Sequence, residues 1–366
     1  MFFVTIIILR VTNNMYHDQF DPYHTSNSQA SPKHSQEYTY IHGIGFSPLL
    51  GVMREKKALR RCANAIGISM LAYLALSYLI PDIISLASVM LLPLYGLSSS
   101  QAYYQLIGIL STVIAMGLPF FIYAVSIRIP VRRALPLQMP PLSLLIPSIF
   151  LTFGATAVAS FASGILQNLL YFLGIYAPGN LGELPTTTAS ATVVYLISST
   201  LLPAVLEEFV FRGVLMQSLR RFGDAMAVVV SAVLFAAAHG NIIVFPLALT
   251  MGLCSGYFVI RMGSLWPSIL FHFLYNSLSI GLNEAYIRLP QNISLLLSSA
   301  LTLAQLLLAV LSLIYLMKTR TGIFSLKPAQ TTLNESAKLK TFFSSVAIIV
   351  VLCLFALLAI TNLYAY

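Results

Sequence analysis

Nine apolar runs, most of them as long as a bilayer crossing, alternate along the chain with short breaks that carry charges or turn residues. They run from Ala63 to Leu92, Gln105 to Ile127, Leu142 to Tyr176, Ala191 to Leu219, Ala225 to His239, Ile242 to Ile260, Ser264 to Leu282, Ile293 to Met317 and Phe342 to Tyr364. A helix needs about 20 apolar residues to cross the hydrocarbon core of a membrane. The pattern therefore predicts an all-α fold, a polytopic transmembrane helix bundle of about eight or nine spans. The first and third runs exceed one crossing and contain Pro81 and Pro147. Tilting, a kink or a re-entrant piece is expected there. The IPDII stretch around Asp82 reads as a break in its span that reaches the outer surface.

Residues 1–52 stand apart from this pattern. They are rich in polar, turn-forming and tyrosine residues and show no sustained apolar period. That composition predicts a disordered cytoplasmic tail, followed by a multi-span membrane domain over 53–366 with its functional core near 190–285. The apolar FFVTIIIL at the start is too short to span and lacks the flanks of a signal peptide. His17, His24, His34 and His42 lie in this tail at no metal-ligand spacing.

Composition agrees with the pattern: 58% of residues are hydrophobic, 8% are charged and the mean hydropathy is +0.85. A net charge of +9 raises the question of nucleic acid, but the distribution of the bases answers it. With the N-terminus inside, Arg54, Lys56, Lys57, Arg60 and Arg61, then Arg128, Arg132 and Arg133, then Arg220 and Arg221, then Arg261, and finally Lys318, Arg320, Lys327, Lys338 and Lys340 all fall on the cytoplasmic side. The opposite side holds Arg288. The excess of base is thus topology and contact with anionic lipid, with no nucleic-acid partner. An integral protein of a bacterial plasma membrane with a cytoplasmic N-terminus is expected. Cys62, Cys254 and Cys353 are scattered, which supports neither a disulfide framework nor a zinc knuckle. Gly252 and Gly256 form a small-xxx-small pair suited to close helix packing.

Ionisable residues within apolar sequence cost a few kcal/mol each at membrane depth and call for a partner or a task. Apart from Asp82, they are Glu207, Glu208, Arg212, His239 and His272. In LEEFVFRG, residues 206–213, helical geometry puts Glu208 and Arg212 four apart on one face and turns Glu207 elsewhere. Glu208 then has a partner and Glu207 does not, and an unpaired carboxylate in such a place fits a general base. Pro203, one turn earlier, can bend the span and open a polar cavity. At about 1.5 Å per residue, Glu207 lies roughly 20 Å in from Arg220, His239 roughly 22 Å in from Asp224, and His272 and Asn276 roughly 14 and 20 Å beyond Gly263. Three helices thus deliver Glu, His, and His with Asn to a similar level.

These residues have the forms E-E-x-x-x-R (EEFVFR), F-x-x-x-H (FAAAH) and H-x-x-x-N (HFLYN), in that order. The ordered trio, over about residues 190–285, resembles the CAAX protease and bacteriocin-processing (CPBP) family of intramembrane endopeptidases. The resemblance implies peptide hydrolysis by a water activated at Glu207 and shared with His239. It implies His272 and Asn276 as an oxyanion-stabilising or substrate-orienting pair, and Glu208 and Arg212 as supporting groups. Family members often carry the label metalloprotease, and Glu207, His239 and His272 could form an open three-ligand zinc site, although HExxH spacing is absent. The implied partner is a membrane-bound peptide or protein, with a lipidated substrate such as a prenylated CAAX protein among the options. Two other classes place similar residues in a membrane: a proton-coupled transporter, and a non-catalytic bacteriocin-immunity or scaffold protein.

Overall fold

The computed structural model describes residues 39–41, 45–47, 49–91, 101–176, 189–320, 322–326 and 331–365. Most of the expected tail, with its four histidines, lies outside the described residues. The tail's last part is ordered into two short antiparallel strands, Thr39–Ile41 and Gly45–Ser47, and the first helix opens at Leu49.

Each apolar run is mostly helical among the described residues. In order the helices are α1 (Leu49–Leu91), α2 (101–126), α3 (Leu142–Phe172), α4 (Ala189–Phe222), α5 (Asp224–Ala238), α6 (Phe245–Met262), α7 (Trp266–Arg288), α8 (Gln291–Thr319), α9 (Glu335–Phe343) and α10 (Val346–Thr361). Helices satisfy every backbone N–H and C=O internally, which hydrocarbon demands. Among the described residues, six are long and apolar enough to cross a membrane, namely α1 to α4, α6 and α8, and α9 with α10 makes a seventh if that pair, bent by 71°, is one span. The 15-residue α5 and the more polar α7 fall outside that set. Helix α5 is buried along most of its length, so protein rather than lipid covers it. By contrast α8 turns Leu296, Leu303, Leu307 and Val310 outward, a face that only lipid would cover. The chain is an integral membrane protein.

Helices α1 and α3 run without interruption through Pro81 and Pro147. The break expected at IPDII is not there, because a proline within a long helix forfeits one hydrogen bond while its neighbours keep theirs. Two other prolines do alter their helices. Pro119 in α2 and Pro203 in α4 each follow a π-helical turn, 113–117 and 197–201. A widened turn relieves the clash between the proline ring and the preceding carbonyls, and such turns recur at functional sites.

Close approach fastens the helices. A Cβ at Gly252 of α6 would come 2.8 Å from the Cα of Ala232 in α5, and one at Gly256 would press on Met216 and Val228. The small-xxx-small pair is thus the seam that seats α5. Gly252→Leu is expected to force this seam apart and destabilise the protein by about 1–3 kcal/mol or more, read as a lower melting temperature in detergent. A buried polar chain ties three further helices: Tyr123 of α2 donates to Ser218 of α4 at 2.9 Å and lies 3.6 Å from the Cys62 thiol of α1.

Candidate active site

The site is built around an irregular stretch of α4. Immediately after Glu208 the helix widens into a third π-helical segment, Phe209–Leu215. Widening changes which carbonyls the backbone can satisfy, and side chains fill in: Ser231 of α5 donates to the Phe211 carbonyl at 2.8 Å, and Gln217 to that of Arg212 at 3.3 Å. The first of these bonds also fixes α5 against α4.

Glu208 and Arg212 form an ion pair at 2.9 Å with both side chains fully buried. Glu208 has a second partner. Its Oε1 also lies 3.0 Å from Nδ1 of His272 on α7. A carboxylate held by an arginine accepts, so Nδ1 must carry the proton and donate, which leaves Nε2 as the ring nitrogen of buried His272 that Glu208 does not hold. Helix α7 is registered for this contact at its first turn, where the Trp266 indole donates to the Leu137 carbonyl at 3.0 Å and the Leu265 N–H to that of Pro136 at 2.8 Å.

Phe235, the first residue of the FAAAH motif, joins the three motifs. Its ring sits 4.1 Å from the Arg212 guanidinium carbon, 4.9 Å from the His239 ring and 6.1 Å from the His272 ring. The aromatic face covers a guanidinium whose Nε and Nη2 have no hydrogen-bond partner among the described residues. Nothing in the sequence beyond its place in the motif marked Phe235 for this role. Phe235→Leu keeps an apolar side chain, smaller by three carbons, and loses the flat ring. It is expected to cost about 1 kcal/mol of stability and to reduce any peptidase activity by more than that stability loss accounts for, measured on purified protein below its melting temperature.

His239 caps the C-terminus of α5, where Gly240 turns the chain with φ +56°. Its Nδ1 lies 2.8 Å from the Phe235 carbonyl. A carbonyl only accepts, so Nδ1 again carries the proton, and in the neutral ring Nε2 is an acceptor. Both histidines are thereby held in the same tautomer by different partners.

Glu207, one residue from the buried pair, is half-buried and forms no hydrogen bond or ion pair among the described residues. Asn276 is half-buried one turn beyond His272, with no hydrogen bond among the described residues. Of the six residues expected at the site, Glu208, Arg212 and His272 are in direct contact and His239 joins them through Phe235. Glu207 and Asn276 stand beside that unit. Zinc does not fit this arrangement: among the described residues no three His, Cys, Asp or Glu side chains come together to hold a metal ion, so Glu207, His239 and His272 do not form a ligand set.

Neither the curated proteins nor the solved structures compared with the chain give a match. A protein-family model does match, and its description refers to prenyl endopeptidases without reference to bacteriocins or a metal. Residues 189–278, the stretch that carries all three motifs, match the family described as type II CAAX prenyl endopeptidase Rce1-like, in keeping with the CPBP intramembrane peptidases that the motifs resemble.

Proposed function

We propose that the protein is an intramembrane endopeptidase that hydrolyses a peptide bond of a membrane-associated, lipid-anchored protein or peptide. The observation that carries this reading is the joined unit of Arg212, Glu208, His272, Phe235 and His239, inside the stretch that matches a peptidase family. Glu207, whose carboxylate is not committed to a partner, takes a proton from water. His239 shares that water through Nε2. The resulting hydroxide adds to the scissile carbonyl carbon, the oxyanion is received by the Asn276 amide, and His272 serves to orient the substrate. Collapse breaks the C–N bond, and the proton held by Glu207 passes to the leaving amine. Water and one peptide bond give one carboxylic acid and one amine, without ATP.

Glu208 and Arg212 orient His272 in this scheme and do not touch substrate. Helical peptide bonds are already hydrogen-bonded, so the segment cut is an unwound or terminal one. With the N-terminus cytoplasmic, cleavage falls near the cytoplasmic interface. Mass spectrometry of membrane peptides from cells carrying the active protein or Glu207→Gln tests the proposal. Peptides cut at a membrane-proximal site only with the active protein are expected. Differences confined to soluble proteins would overturn it.

A further inference from the structure

A cavity of about 170 Å³ lies beside His239, between α1, the turn at His239–Gly240 and α10. Its polar lining comes from Tyr73, Ser77 and Tyr78 of α1, His239 itself, and Asn362 just past the end of α10. All of these except His239 lie outside the stretch that matches the peptidase family. Tyr78 and Asn362 stand at the cavity's exposed rim, while Tyr73 and Ser77 are half-buried, and a hydroxyl withdrawn from bulk water is costly unless it has a partner. Some of that capacity is already used. Ser77 donates to the Tyr73 carbonyl at 2.8 Å, and Asn362 donates to the Gly240 carbonyl at 3.1 Å, which pins the turn that presents His239. Pro81 has no N–H for the Ser77 carbonyl, so one helical hydrogen bond is missing beside the cavity. The Tyr73 phenol, near the Ser77 hydroxyl, lines the same space as His239. A polar cavity of this size holds several waters, and an apolar one would stay dry.

We infer that this cavity is the water compartment of the hydrolytic site, and that Tyr73 is a positioning residue that orients the attacking water between Glu207 and His239. The inference rests on the endopeptidase reading for the role of that water, while the wetness of the cavity stands apart from it. Tyr73 can donate to the water that Glu207 deprotonates and accept from it in turn. The contribution is one of geometry, since the phenol takes no part in the proton balance.

The test uses the full-length protein in liposomes and has two arms. In the first, Ser77→Cys, Leu79→Cys and Ser69→Cys are treated with a cationic, water-soluble methanethiosulfonate and modification is quantified at each position by peptide mass spectrometry. Leu79 is exposed on the apolar outer surface and Ser69 is fully buried on the same helix. A thiol reacts as the thiolate, which needs water, so Ser77→Cys should be modified about tenfold faster or more than either control. In the second, Tyr73→Phe is assayed on a farnesylated peptide ending in a CAAX sequence. Because misplacing a reacting group slightly costs up to about a hundredfold, kcat should fall by roughly tenfold to a hundredfold with KM unchanged. Modification of Ser77→Cys no faster than the controls overturns the compartment whatever the activity. Full kcat in Tyr73→Phe, or a change in KM alone, overturns the positioning role. If the unaltered protein leaves the peptide uncut, the endopeptidase reading fails on that substrate and the role given to Tyr73 falls with it, while the labelling still decides whether the cavity is wet.

Discussion

Glu207→Gln is expected to abolish peptide cleavage while leaving the melting temperature of the purified protein unchanged. Glutamine has the size and shape of glutamate and the same hydrogen-bonding span, but its amide cannot take a proton from water. A positioned general base contributes about 10² to 10⁴ in rate, so the variant should lose at least that much of kcat. Stability should hold because Glu207 is half-buried and forms no hydrogen bond or ion pair among the described residues, so no buried partner is stranded by the change. Its neighbour offers the contrast: Glu208, one position on, is fully buried and holds both Arg212 and His272. Two adjacent carboxylates therefore separate into one with a structural commitment and one without. Parallel measurement of cleavage and thermal melting checks this. Retained cleavage of a matched substrate would remove Glu207 from the chemistry, and a large drop in melting temperature would show that the carboxylate has a structural duty.

Periodicity and spacing reveal some of this site and conceal the rest for identifiable reasons. The helices were legible because hydrocarbon permits few alternatives to a helix, and the pairing of Glu208 with Arg212 follows from the four-residue spacing on one face. The second partner of Glu208 was not legible, because spacing within a helix says nothing about a residue on another helix 64 positions away. Depth counting placed His239, His272 and Asn276 near one level, but it treats every helix as straight and regular. The π-helical segment at Phe209–Leu215 breaks that assumption at the site itself. Phe235 belongs to the FAAAH motif, but its function is hidden there, since an aromatic residue in an apolar run looks like core until its ring is seen against Arg212, His239 and His272. The wall contributed by α1 and α10 was equally hidden. Tyr73 and Asn362 lie far from the motifs in sequence, and only packing brings them to His239.

Arg212→Ala is expected to destabilise the protein by about 3–5 kcal/mol, the cost of leaving a buried charge without its partner. Arg212 and Glu208 are both fully buried, and Arg212 donates to the same Glu208 oxygen that His272 approaches. Removing the guanidinium leaves the carboxylate with His272 alone, and opens a gap beneath the Phe235 ring that the guanidinium had filled at 4.1 Å. Glu208→Gln should be costly by the same logic, with the arginine now stranded. The double variant Glu208→Leu with Arg212→Met discriminates between structure and chemistry, because replacing both members of a buried pair with apolar side chains of similar volume is often neutral or stabilising. Its melting temperature should return most of the way to that of the parent. Its activity should not, because His272 loses the acceptor that holds its Nδ1 proton and with it the fixed presentation of Nε2. Thermal melts in detergent and cleavage assays on all four proteins make the comparison. An Arg212→Ala protein that melts like the parent yet cleaves nothing would move Arg212 from the support of His272 into the reaction itself.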